Sequence, residues 1–283
     1  MFIVDCQVHI WAANTPERPW RGSGQKAPGG RTEPFTKEDA LREMDAAGVH
    51  RAILVPPSME GDRNDLALDA AKLHPDRFAV MGRVALDQPE DEALLPGWRK
   101  QPGMMGLRLT FKREWAKPFI FEGKADWFWA ASERIGLPLM IQVSDDTLPG
   151  LKMIMERHPR LKFAIDHLGL VPGKKDEAAV ALLPEILKLA KLPNVSVKVS
   201  ALPTASSEPY PYRNLHKYIR QTYDAYGPER MFWGGDLTRL KCPYRQAITM
   251  FTEEMPWLTE KDKELIMGRA LCEWLDWPLP AGA

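Results

Sequence analysis

Asp5-Cys6-Gln7-Val8-His9-Ile10 follows the apolar stretch Phe2 to Val4 and sets polar side chains at every second position. Alternate residues of a strand share a face, so the spacing predicts that Asp5, Gln7 and His9 point the same way. Enzymes that hold a divalent metal inside a barrel often carry a His-x-His pair at such a strand end, and here its first position is Gln7. Two later segments also end in groups suited to acid-base chemistry. His167 closes Phe163-Ala-Ile-Asp-His, and Asp236 closes Met231-Phe-Trp-Gly-Gly-Asp, where Gly234-Gly235 allows close backbone approach. Any one of these groups alone reads as a buried, hydrogen-bonded structural residue. Three of them at the rim of strands one, six and eight read as a site. His74 and His158 precede Pro at helix ends and read as C-terminal caps, while His50 and His216 carry no role.

Cations gather at the same rim. Arg83 ends Val80-Met-Gly-Arg and Arg108 ends Gly106-Leu-Arg. In Val195-Ser-Val-Lys-Val the valines take one face, so Lys198 and Ser200 share the other and face the barrel axis. A planar guanidinium suits bidentate contact with a carboxylate, and Arg83 with Arg108 predicts a small anionic substrate. The competing account is internal salt bridging to Asp5, Asp166 or Asp236; Arg239 fits either set.

The elements that must carry these groups alternate. Strands are predicted at the chain start and at Arg51 to Val55, Phe78 to Val84, Gly106 to Leu109, Leu139 to Val143, Leu161 to Ile165, Val195 to Val199 and Met231 to Trp233. Helices are predicted at Thr36 to Ala47, Asn64 to Leu73, Trp127 to Ile135, Leu148 to Arg157, Ala178 to Ala190 and Leu215 to Tyr226, with Thr36 and Asp39 forming a cap and Gly48 a stop. Eight β-α units predict an α/β fold, a single (β/α)8 TIM barrel over residues 1–283, and extra C-terminal helices near Tyr244 to Glu254 and Thr259 to Trp274. Helix-to-strand turns are terse, whereas the strand-to-helix stretches Trp11 to Phe35, Thr110 to Lys124 and Ala201 to Asn214 are long. That asymmetry puts the elaboration on the C-terminal face, where barrel active sites sit. Trp11, Trp20, Trp115, Tyr210 and Tyr212 in these loops suit a lid, with Trp11 a substrate-binding candidate.

Composition excludes other classes. The 283 residues are 45% apolar and 27% charged, enough to bury a core. Lys plus Arg and Asp plus Glu balance at 38 each, so no global field favours nucleic acid or an anionic membrane. Three cysteines without a Cys-x-x-Cys pair argue against disulfides and a thiolate zinc site, and fit a reducing compartment. With no basic leader and no apolar run near the roughly 20 residues of a membrane span, the expectation is a cytoplasmic protein. Assembly into a homo-oligomer stays open.

Val4-Asp-Cys-Gln-Val-His-Ile-Trp11, Gly106-Leu-Arg108, Ile165-Asp-His-Leu-Gly169, Asn194-Val-Ser-Val-Lys-Val-Ser200 and Phe232-Trp-Gly-Gly-Asp236 occur in an order that resembles the amidohydrolase superfamily, in its amidohydrolase-2 branch. That branch contains 2-pyrone-4,6-dicarboxylate lactonase and sugar-acid and muconolactone-type lactonases. Metal-dependent relatives carry His at both alternate positions of strand one and often another on strand five; this chain has Gln7 and Gln142. A neutral amide oxygen is a poor ligand beside imidazole for zinc or manganese. The lactonase branch works without a metal, so the resemblance implies an enzyme with no cofactor, or one only weakly metal-dependent, that hydrolyses a small carboxylated lactone or similar ester. In it Asp236 would activate a water, His9, His167 and Gln7 would polarise the carbonyl, and Arg108, Arg83, Lys198, Gln142 and Arg239 would line the substrate site. The rivals are a non-oxidative decarboxylase, which calls for the missing metal, and a non-catalytic binder of small anions.

Overall fold

The computed structural model describes residues 1–21, 27–112 and 114–282. Eight parallel strands follow one another in sheet order: β1 (Val4–Val8), β2 (Arg51–Leu54), β3 (Phe78–Gly82), β4 (Met104–Thr110), β5 (Leu139–Gln142), β6 (Phe163–Ile165), β7 (Val195–Ser200) and β8 (Met231–Gly234). With helices between them they form a nearly closed (β/α)8 barrel, as the β-α rhythm predicts. Along β2, β3 and β5 to β8 the alternation is regular, whereas β4 holds an extra residue between Met104 and Gly106. Outward residues such as Leu54, Val80, Ile141, Val197 and Trp233 pack under the helices, and inward ones such as Ile53, Ala79, Met140, Ala164 and Phe232 fill the barrel.

β1 breaks that rule. Its pairing with β2 runs Val4 to Arg51 and Asp5 to Ala52, but then Val8 to Leu54, so β1 holds one residue more than its partner. Such a bulge changes the phase of the side chains. Val4 and Cys6 belong to the inner cluster, yet Val8 belongs to the outer one. The expectation that Asp5 shares a face with Gln7 and His9 is therefore corrected. Gln7 and His9 turn inwards beyond the bulge, whereas Asp5 lies in the outward phase before it and reaches Gly235 and Tyr244.

The capping box at Thr36 and Asp39 starts the first long helix, Lys37–Ala47, and the left-handed Gly48 ends it, as predicted. His74 and His158 cap their helices through backbone N–H groups to Ala70 and Ile154. Elsewhere the helical expectation is too smooth. Ala178 to Ala190 resolves into Asp176–Ala179, Leu183–Lys188 and the 3₁₀ turn Leu189–Lys191, with Pro184 in the first turn of the middle piece. Thr259 to Trp274 carries a π-helical segment at Leu265–Arg269. The stretch Pro89–Lys100, for which no element is predicted, is a run of 3₁₀ turns.

The C-terminal segment seals the end of the barrel opposite the strand C-termini. Leu271, Leu275 and Trp277 join the inner cluster, and the Trp277 ring lies 4.5 Å from the Arg51 guanidinium carbon at the start of β2. Arg51 also donates to the Pro278 carbonyl at 2.7 Å. Because this plug is remote from the strand C-termini, Trp277→Ala is expected to cost about 3–5 kcal/mol of stability while leaving kcat of the folded protein unchanged. Urea denaturation alongside steady-state kinetics checks it, and an unshifted midpoint would refute the role of the plug.

Candidate active site

Lys198 on β7 is fully buried at the barrel axis, so its charge needs a partner there. Its Nζ lies 3.0 Å from Asp166 Oδ1 and donates to Gln7 Oε1. Asp166, which follows β6, also accepts from Arg108 Nε at 2.8 Å. Burial alone would raise the Asp166 carboxyl, but Lys198 and Arg108 outweigh it and hold the group well below the usual carboxylate range. For Lys198 the internal salt bridge therefore prevails over the expected substrate contact. The two remaining guanidinium nitrogens of Arg108 donate to Thr110 Oγ1 at 2.6 Å and Gln142 Oε1 at 3.0 Å. Gln142 thus braces Arg108.

With its oxygen facing Lys198, the Gln7 amide presents nitrogen to both imidazoles, 3.3 Å from His9 Nε2 and 3.3 Å from His167 Nε2. His9 Nδ1 lies 2.7 Å from the Val55 carbonyl and His167 Nδ1 2.7 Å from Ser200 Oγ. Both Nδ1 atoms therefore carry the proton, and both Nε2 lone pairs accept from Gln7. Burial, reinforced at His9 by Arg239 and Arg108, holds both imidazoles well below their usual range and so neutral. At His167 burial outweighs the attraction of Asp166.

Asp236 faces this pair with Oδ1 3.4 Å from His9 Nε2 and Oδ2 3.8 Å from His167 Nε2. Its backbone is left-handed, at φ 50°, a conformation Asp tolerates better than most residues. The carboxylate is fully buried, and neither oxygen has a hydrogen-bond partner among the described residues. Arg239 Nε approaches at 3.3 Å from the solvent side. Burial raises the Asp236 carboxyl to about 6, with Arg239 and Lys198 opposing the rise. Gly234 and Gly235, expected to permit close approach, are tightly packed: an added Cβ would lie 2.6 Å from Cys6 Sγ at the first and 2.5 Å from a Tyr244 ring carbon at the second.

A cavity of about 190 Å³ adjoins the cluster through Arg108 and is lined also by Arg83, Thr110, Phe111, Trp115 and Phe119. Arg83 donates to the Pro56 carbonyl at 3.2 Å and has no carboxylate at ion-pair distance among the described residues. Burial, with Arg108 nearby, lowers it to about 10, so it stays charged at neutral pH. Asp62 and Asp87 line the same cavity. Trp115 is exposed beside it, as a lid residue would be, but Trp11 is corrected. Its ring is buried, its Nε1 donates to the Glu33 carbonyl, and its backbone pairs with Phe35, so it pins the first loop and does not line the cavity.

Two groups near the site go unnoticed in the sequence. Lys112, whose Nζ donates to the Leu170 carbonyl at 3.3 Å, is lowered to about 8 by burial and by Arg108. Its signal is a cation two residues beyond the end of β4. Tyr244 reaches Asp5 across 239 positions of sequence, and no local signal announces that contact.

Among the described residues no group of three His, Cys, Asp or Glu side chains is arranged to hold a metal ion. The donor chemistry agrees, because the Gln7 amide nitrogen fills the space between the imidazole lone pairs that a metal would need.

The model of the Amidohydro_2 family, described as amidohydrolase, matches residues 4–278. The chain belongs to this family. The amidohydrolase is 26% identical over 244 residues to an L-fucono-1,5-lactonase of Burkholderia ambifaria, covering 83% of this chain and 80% of that one. It is also 26% identical over 237 residues to a 4-sulfomuconolactone hydrolase of Hydrogenophaga intermedia, covering 76% and 71%. The fold is shared with a zinc-bound amidohydrolase of Burkholderia multivorans at a TM-score of 0.79 and 20% identity, over 98% of this chain and 100% of the other. The expectation of a hydrolytic enzyme of this superfamily is met.

If the Asp236 carboxylate must be ionised to act, kcat/KM falls on the acid side with a midpoint near pH 6, since a group raised to about 6 is protonated below that value. A pH-rate profile checks this; an acid limb near pH 4 would mean that the buried carboxylate is not the titrating group.

Proposed function

We propose that this amidohydrolase hydrolyses a small carboxylated lactone or similarly activated ester without a metal. The observation that carries the proposal is Asp236: a fully buried carboxylate with no hydrogen-bond partner among the described residues, raised to about 6 and flanked by two neutral imidazoles. A pure anion receptor gains nothing from such a group, which is suited to receive a proton from water near neutral pH. A decarboxylase of the kind that needs imidazole-held metal is disfavoured by the place that Gln7 occupies.

In the proposed reaction a water beside the Asp236 carboxylate loses a proton to it as it attacks the lactone carbonyl, and that proton passes to the ring oxygen as the acyl C–O bond breaks. The imidazoles already accept from Gln7 through Nε2. They do not polarise the carbonyl as the sequence suggests, because their protons lie on Nδ1, facing Val55 and Ser200. The donor suited to the developing oxyanion is Arg239, half exposed and 3.3 Å from Asp236. Arg83 holds the substrate carboxylate, assisted by Arg108. A neutral, polyhydroxylated lactone is the second reading, favoured by Asp62 and Asp87, whose carboxylates can accept hydroxyl groups in the same cavity beside Trp115.

Incubation of the purified protein with 2-pyrone-4,6-dicarboxylate, 4-sulfomuconolactone and L-fucono-1,5-lactone, each with and without chelator, tests these readings together. Turnover of a carboxylated lactone that survives chelation is expected; turnover confined to the neutral sugar lactone selects the second reading. About one tightly held zinc or manganese per chain by elemental analysis, with activity lost on its removal, overturns metal independence.

Two substitutions divide the roles. Arg83→Met is expected to raise KM about 10- to 100-fold with kcat nearly unchanged, the loss of one charge-assisted anchor used equally in ground and transition states. Asp236→Asn keeps the shape, loses the basic oxygen and is expected to lower kcat about 10²- to 10⁴-fold. A folded Asp236→Asn protein with near-full kcat would move the base elsewhere.

A further inference from the structure

The bulge in β1 leaves the Gln7 N–H outside the strand ladder, and the Asp5 carboxylate takes it, Oδ1 accepting at 2.8 Å. The other oxygen of the same carboxylate accepts from the Gly235 N–H at 2.9 Å, one residue before Asp236. Tyr244, buried on the helix after β8, donates its hydroxyl to that second oxygen. Its ring is stacked on Trp233 at 6.2 Å and 18°. Asp5 is fully buried and has no Lys or Arg at ion-pair distance among the described residues. A buried carboxylate costs stability unless each oxygen is satisfied, and here three neutral donors do so.

The two backbone groups it holds belong to β1 and to the end of β8, neighbouring strands that carry two sides of the candidate site. One fixes the strand segment that turns Gln7 inwards to the imidazoles, and the other fixes the β8 terminus that presents Asp236. We propose that Asp5 is a positioning residue that locks the separation between the Gln7–imidazole wall and the Asp236 carboxylate, with Tyr244 as its clamp. The inference rests on reading Asp236 as the base, but its structural part stands apart from that reading. Asp5 lies in the outward phase of β1 and acts only through the peptide groups it binds.

Asp5→Asn keeps the shape but turns an N–H2 group towards one of the two backbone N–H donors, so one wall is released. Tyr244→Phe removes the clamp and leaves both peptide bonds made. Crystal structures of both variants and their kinetics on whichever lactone of the three above is turned over provide the test. Expected is a joint displacement of the Gln7 amide and the Asp236 carboxylate by about 0.5 Å or more in Asp5→Asn, with a smaller one in Tyr244→Phe. In Asp5→Asn kcat is expected to fall about 10²-fold while KM barely moves, as misplacement of catalytic groups predicts. The double variant Asp5→Asn with Asp236→Asn should be no slower than Asp236→Asn alone, because a base already lost cannot be further misplaced.

Variants that fold with both groups in place overturn the proposal, as do losses that multiply in the double variant. Should Asp5→Asn not fold, Tyr244→Phe decides alone: no displacement and full kcat refute the clamp. Near-full kcat in Asp236→Asn refutes the base instead, and the displacement measurement still decides on Asp5.

Discussion

Three charges buried side by side within the barrel, Lys198, Asp166 and Arg108, set the arrangement of everything above them. Removing water from an ion costs several kcal/mol, and leaving one member unpaired typically costs about 3–5 kcal/mol, so their geometry is tightly constrained. Asp166 answers both cations. The second demand of Lys198 is met by the Gln7 oxygen, which obliges the Gln7 nitrogen to face the two imidazoles. From that one orientation follow both tautomers, and with the imidazole protons on Nδ1 neither ring offers Asp236 a donor. The unsatisfied carboxylate is thus the consequence of satisfying the charges beneath it.

The barrel divides along its axis accordingly. Towards the strand N-termini the interior is apolar, filled by Val4, Cys6, Ile53, Ala79, Met140, Ala164 and Phe232 and closed by the C-terminal segment. Towards the strand C-termini the same inward positions carry Gln7, Arg108, Gln142 and Lys198. A bulge near the middle of β1 marks the change on that strand. Without it the inward phase set by Val4 and Cys6 would pass to Val8, and Gln7 and His9 would face the helices.

Much of this is legible in residue types. β7 shows why: Val-Ser-Val-Lys-Val-Ser alternates so strictly that its two faces follow from the pleat alone, and Lys198 and Ser200 point to the axis as read. The caps at Thr36 and Gly48 are equally local. Reading fails where local patterns admit two outcomes. The alternation of Asp5, Gln7 and His9 is real in sequence, but strand-to-strand register overrides it. Trp11 sits in a long loop at the rim, and only its pairing with Phe35 decides that it pins the loop. Arg83 and Arg108 look alike in sequence, but Arg108 is ion-paired to Asp166 while Arg83 has no carboxylate at ion-pair distance among the described residues.

By itself the sequence determines the β-α rhythm, the strand ends that carry His9, His167 and Asp236, and the replacement of an expected imidazole by Gln7. These depend on residue identity and on periods of a few residues, which backbone geometry imposes wherever the chain goes. The tertiary structure alone decides which charge neutralises which, where the imidazole protons reside, that Asp5 serves two backbone amides, and that Asp236 is left without a hydrogen-bond partner among the described residues. Each of these is a competition for hydrogen bonds among groups far apart in the chain, 160 positions for Gln7 and His167 and 230 for Asp5 and Gly235. Its outcome is fixed only once burial has removed water as the alternative partner.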